Sequence, residues 1–103
     1  MAMVFDILEE ERKRLINLKE KYKRQISSLP KGSISHKKRW NRVYIYLAYR
    51  EADKIKFDYV GPAESEAAQK LTEKINKRRE LENKLQQVDK NLKDVERGLR
   101  GKR

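Results

Sequence analysis

The 103-residue chain contains no cysteine. Disulfide cross-links and thiolate metal sites are therefore excluded, and cysteine usage leaves the redox compartment open. Histidine occurs once, at His36, in a basic stretch with no carboxylate close by in sequence. General acid–base catalysis needs an oriented partner, and none stands near it in the chain. The four glycines are scattered at positions 32, 61, 98 and 101, which rules out a glycine-rich phosphate loop. No apolar run approaches the roughly 20 residues that cross a bilayer. The opening Met1–Asp6 turns acidic too soon for a secretory signal. The carboxylates fall at helical i,i+4 spacing to lysine and arginine rather than in paired sites. These absences argue against an enzyme, a cofactor, a metal centre, a small-molecule substrate and a membrane partner. A cytoplasmic protein is the expectation.

What the chain has in quantity is charge, with a net +11 at pH 7. The excess is uneven: residues 31–61 carry eight basic and three acidic side chains, whereas residues 1–30 carry seven and five. Within that middle third, Lys31, Lys37, Lys38, Arg39 and Arg42 form a run containing no acid. A field of this kind draws polyanions. Only 37% of residues are apolar, so a thin core and long solvent-laced helices are expected of a single small domain.

The organising stretch is Val43–Gly61, which holds four of the five tyrosines. β-Branched and aromatic residues recur there with strand periodicity in two runs, Val43–Tyr49 and Ile55–Val60, on either side of a polar break. That pattern predicts an antiparallel hairpin. An isolated hairpin is marginal in water, so a first strand near Gly32–His36 should complete a meander of about 32–37, 42–50 and 54–60. Lys37–Asn41 is read as a basic turn carrying Trp40. A two-residue turn at Ala52-Asp53 sets Tyr49 opposite Lys56, Leu47 opposite Asp58 and Tyr46 opposite Tyr59. Tyr44, Tyr46, Phe57 and Tyr59 then share one face, with Val43, Ile45, Leu47 and Tyr49 on the other. A three-residue loop reverses the parity of the last strand and gathers Ile45, Leu47, Phe57 and Tyr59 instead. The sequence admits both registers.

Helical patterns flank the meander. Leu8, Leu15, Leu18, Tyr22, Ile26 and Leu29 line one stripe of a helix over about Val4–Ser28, which Pro30 and Gly32 terminate. Gly61-Pro62 reads as the exit from the sheet, with Pro62 at the first position of a second helix and Glu64 and Glu66 near its N-terminal dipole. Leu71, Arg78, Leu85, Leu92 and Leu99 then alternate with Ala67, Lys74, Leu81, Val88 and Val95 as a heptad seam. Glu66–Lys70, Glu73–Lys77, Glu80–Lys84, Asp89–Lys93 and Glu96–Arg100 lace its outside. The fold class is thus α+β: residues 1–29 helix, 30–61 basic β-meander, 62–98 heptad helix antiparallel to the first, and 99–103 a basic tail. At about 1.5 Å per residue the helices span roughly 37 and 54 Å. With both starting from the sheet, the first covers the second only to about Val88. Leu92, Val95 and Leu99 would then face water, which points to a homodimer through Leu85, Val88, Leu92, Val95 and Leu99. An extension of the first helix through Met1–Phe5, or fraying after Asp94, would instead leave the chain single.

Leu29-Pro30-Lys31-Gly32-Ser33-Ile34, Tyr44-Ile45-Tyr46-Leu47-Ala48-Tyr49-Arg50-Glu51 and Lys54-Ile55-Lys56-Phe57-Asp58-Tyr59-Val60-Gly61-Pro62 together resemble a family of small uncharacterised archaeal and bacterial proteins. Its members have a Leu-Pro-x-Gly-Ser segment, a tyrosine-rich strand, a Tyr-Arg-Glu-Gly-Gly-Lys turn, a Tyr-x-Gly-Pro exit and a C-terminal coiled-coil helix. The resemblance covers about residues 29–95 and implies the fold, with no activity attached. Ala52-Asp53 stands where the family usually has Gly-Gly, at a turn where φ > 0 suits alanine poorly. The strand–turn–strand segment is also similar to the arm segments of some transposases and integrases, which lay a small sheet against DNA.

The function expected is that of a small basic nucleic-acid-binding protein, for DNA or RNA. Lys31, Lys37, Lys38, Arg39, Arg42, Arg50, Lys54 and Lys56 would contact phosphates, with Trp40 as an exposed contact. The tyrosines suit base stacking, but also cross-strand packing, which a chain this poor in apolar residues needs for its core. The alternative is a coiled-coil interaction or assembly module whose charge serves only solubility.

Overall fold

The computed structural model describes residues 3–101. Its elements in chain order are α1 (Met3–Ser27), β1 (Ser33–Arg39), β2 (Arg42–Glu51), β3 (Lys54–Pro62) and α2 (Glu66–Arg100). The layout is α+β, with one three-stranded antiparallel sheet of order β1-β2-β3. The chain divides into two compact units. One joins the residues up to Ser28 with those from Glu80 onward, and the other is Leu29–Arg79. The end of the tail, Lys102 and Arg103, lies outside the described residues.

In the helical unit, α1 runs antiparallel to the C-terminal half of α2. Lys19 Nζ meets Asp89 Oδ1 at 2.9 Å, Arg12 pairs with Glu96 at 3.7 Å, and the Leu8 side chain lies against Gly98. Asp89 and Glu96 therefore bridge the two helices instead of making the i,i+4 pairs expected with Lys93 and Arg100. Glu66–Lys70 and Glu80–Lys84 do form along α2, at 2.9 and 3.3 Å. Leu15, Leu81 and Val88 are buried within the single chain, while Leu85, Leu92, Val95 and Leu99 are half-buried. The supposed overhang past Val88 is absent, because α1 pairs with α2 as far as Gly98. The first four turns of α2 belong to the other unit, so α1 is long enough for the remainder.

In the sheet unit, β2 is the central strand, paired with β1 on one edge and β3 on the other, and it is the most apolar of the three. Its register with β3 sets Tyr46 opposite Tyr59, Leu47 opposite Asp58 and Tyr49 opposite Lys56. The turn is the two-residue one at Ala52-Asp53, with Ala52 at φ 56°. A shift between Ile45 and Tyr46, where Ile45 pairs with Gly61, marks a bulge that leaves Val60 unpaired. β1 extends further than the sequence pattern indicated. Lys37, Lys38 and Arg39 pair with Tyr44, Val43 and Arg42, which shortens the basic turn to Trp40-Asn41. On an edge strand these charged side chains remain in water while their backbone is paired, so their polarity does not oppose strand formation.

The core of this unit is Ile45 from the sheet with Ala68 and Ile75 from α2, exposed by 3, 1 and 1%. The heptad pattern had assigned Ala67 and Lys74 to the seam, but both are exposed. Ala68 to Ile75 is a step of seven and Leu81 to Val88 another, but Ile75 to Leu81 is a step of six. α2 thus carries two stripes, one for each unit, where a strict heptad would give one. Arg78, which interrupts the seam, donates from Nη1 to the Leu29 carbonyl at 3.0 Å.

Pro62 closes β3 and does not open the second helix. Ser65 is the N-cap: its Oγ accepts from the Ala68 N–H at 3.2 Å and donates to the Pro62 carbonyl at 2.7 Å. Glu64, placed by sequence near the helix dipole, instead reaches across to Arg42 at 2.7 Å.

Candidate functional site

Strand parity sorts the sheet side chains into two faces. Ile45 sits on the face that packs on the first turns of α2, where a groove is lined by His36, Ile45, Ala63, Gln69, Thr72 and Glu73. His36 is exposed there. Across the sheet lie Tyr44, Tyr46, Phe57 and Tyr59. Tyr46 and Tyr59 meet edge to face with centroids 5.4 Å apart, and Tyr44 and Tyr59 are tilted at 6.3 Å. These are cross-strand aromatic pairs, yet they do not form the core. Phe57 stays 48% exposed, Tyr59 57% and Ile55 59%. Sequence reasoning gave the aromatics mainly a packing role and did not single out Ile55. The bulge and the location of the core, both tertiary features, decide otherwise.

The aromatic face is bordered by cations. Lys37 Nζ lies 4.8 Å from the Tyr46 ring centroid and 4.6 Å from that of Phe57, within cation–π range of both. At the β1–β2 tip, Trp40 is 97% exposed, in the left-handed backbone region at φ 57°. A tryptophan there is sterically costly and leaves almost all of its apolar surface in water. Lys38, Arg39, Trp40, Tyr44, Tyr46 and Tyr59 together line a groove of about 790 Å³. The acids of the sheet avoid this face: Tyr49 donates to Asp58 at 3.3 Å and Lys56 pairs with Glu51 at 3.1 Å, both on the opposite side. Arg42 is tied to Glu64, and this bond holds the Glu64 carboxyl below its ordinary range and raises Arg42 further.

Of the nine residues singled out from sequence, the fold gathers Lys37, Lys38, Arg39, Trp40 and Arg42 at one end of the sheet. Arg50 and Lys54 lie at the β2–β3 turn, the other end of a ten-residue strand, about 30 Å away at the usual rise. Lys31 lies just before β1, also remote from the tip, and Lys56 is engaged with Glu51 on the opposite face. Among the described residues no cluster of three or more histidines and carboxylates is placed to hold a metal ion, and no helix is long and apolar enough to cross a membrane.

No curated protein and no solved structure matches the chain. A family model described as a domain of unknown function (DUF6788) matches residues 8–70, from the first turns of α1 through the whole sheet to the start of α2. That span is more than half of the chain and includes every residue of the aromatic face and the basic tip: the chain belongs to the DUF6788 family.

Proposed function

We propose that this protein binds nucleic acid through the β1–β2 end of its sheet. The observation that carries this reading is the tip itself, a 97%-exposed tryptophan surrounded by Lys37, Lys38, Arg39 and Arg42. Backbone pairing holds three of these cations on an edge strand, so their charge is concentrated without relying on side-chain order. Phosphate contacts from such a cluster release condensed counterions, which makes affinity fall steeply with salt. Arg42 is partly neutralised by Glu64, so Lys37, Lys38 and Arg39 carry most of the attraction.

The single tryptophan supplies its own probe. Titration of duplex DNA, single-stranded DNA and RNA at two salt concentrations, followed by Trp40 emission, should show binding that weakens as salt rises. Three to four phosphate contacts correspond to a slope of log K on log salt of about −3 to −4 on duplex DNA. Replacing Lys37, Lys38, Arg39 and Arg42 together by alanine should remove most binding while leaving helical content unchanged; because Trp40 is kept, the same signal reports both proteins. A quadruple variant that binds like the wild type would reduce the tip to a solvated hairpin.

A second reading, an assembly module, is favoured by a different observation. Met3, Val4 and Ile7 at the start of α1 are 62, 56 and 58% exposed, an apolar stripe of the kind that contacts a partner. Binding of that type would change little with salt.

A further inference from the structure

We infer that the aromatic face of the sheet takes an unpaired polynucleotide strand, with bases stacked on its rings, so that single strands rather than duplexes are the preferred ligand. This deepens the nucleic-acid reading and rests on it.

Three observations converge. First, Phe57 and Tyr59 remain about half exposed on a face that the core does not use, although burying an aromatic side chain is strongly favourable. The Tyr59 ring is held in place by cross-strand contacts with Tyr46 and Tyr44 at 5.4 and 6.3 Å, so its ordering cost is already met. Second, the charge of this face is complementary to a phosphate backbone. Lys37, Lys38 and Arg39 border the rings, and the sheet's acids Glu51 and Asp58 are paired on the other side. Third, Lys37 lies over the faces of Tyr46 and Phe57. Those faces already attract an electron-poor group, and the one that covers them is the end of a flexible side chain that a base can displace.

A base stacking on Tyr46 or Phe57 takes the place of the lysine ammonium, which is then released beside the strand's own phosphates. The exchange replaces the two cation–π contacts of Lys37 by a stacking contact and a charge-assisted contact. In a duplex the base faces are occupied by neighbouring bases, so only the phosphate contacts remain available. Stacking of this sort tolerates any base and adds about five- to 150-fold in affinity per base.

The experiment uses the full chain with fluorescently labelled oligothymidylate and oligouridylate of about twelve nucleotides, and a DNA duplex of the same length, followed by anisotropy. Wild type should bind the single strands at least tenfold more tightly than the duplex. Phe57→Leu with Tyr59→Leu, which keeps the apolar bulk but removes two rings, should lower single-strand affinity by at least fivefold and leave duplex affinity unchanged. Tyr59→Phe, which retains the ring, should bind as wild type does. Circular dichroism and the melting midpoint establish that each variant is folded. Equal wild-type affinity for strand and duplex, together with a silent double-leucine variant, would overturn stacking while leaving the phosphate-binding tip intact. Failure of wild type to bind any of the three would overturn both. A preference between the thymidylate and uridylate arms distinguishes DNA from RNA as the strand.

Discussion

Two residues, Trp40 and Ala52, have positive φ without being glycine among those described, and each is the first residue of a two-residue hairpin loop. The hairpin twist requires that geometry, and an L side chain is strained in it. For Ala52 the strain has no evident return, since its methyl side chain is exposed and makes no hydrogen bond or ion pair. Ala52→Gly should therefore raise stability by about 1 kcal/mol, read as a higher midpoint in urea with an unchanged slope. Trp40 differs, because its strained backbone projects the indole into water at the candidate site. Arg42 and Glu64 provide a check by pH. The Glu64 carboxyl is held below its ordinary range by the guanidinium, so it binds its proton more readily in the unfolded chain. Its contribution is present above the ordinary carboxylate range of about 4.3 and lost as pH falls through the lower folded value. Acidification from about pH 5 to pH 3 should thus lower the melting midpoint more in wild type than in Glu64→Gln. Identical curves would mean that the bond adds nothing in solution.

At the scale of elements, the sheet depends on close backbone approach at one glycine. Gly32 has φ 120°, and a Cβ there would stand 2.5 Å from the Ala48 carbonyl oxygen. That carbonyl belongs to the central strand opposite Ser33, so it cannot retreat without opening the β1–β2 ladder. Gly32→Ala should destabilise the fold by more than 1 kcal/mol, with early hydrogen exchange in β1 as the local readout. Exchange in β1 equal to that of wild type would count against the close approach. This position falls in the Leu-Pro-Lys-Gly-Ser segment that carries the family likeness. Its glycine thus has a physical reason that spacing alone does not show.

For the whole molecule, the question is whether one chain suffices. The seam residues Leu81 and Val88 are already buried within a single chain, as is Leu15 of α1. The melting midpoint should therefore not change with protein concentration, because no second copy is needed to complete either core. A midpoint that rises on concentrating the protein would show that the exposed Met3, Val4 and Ile7 are covered by another copy.

Element types and order were legible in the residues: periods of seven and of two, a proline after the first helix, and tyrosines concentrated in one strand pair. These signals are local, and local propensity was enough to state them. The two candidate registers gave different faces, and the sequence admitted both. Only tertiary structure decided three further matters. Strand pairing absorbed Lys37, Lys38 and Arg39 into β1, because a paired backbone outweighs the low strand propensity of exposed charged side chains. The change of partner along α2, from sheet to helix, broke one heptad seam into two stripes and let α1 reach the end of the pairing. The aromatics came to face water because Ile45, Ala68 and Ile75 close the core from the other side, and which face of a sheet is covered is a contact between elements that no local pattern encodes.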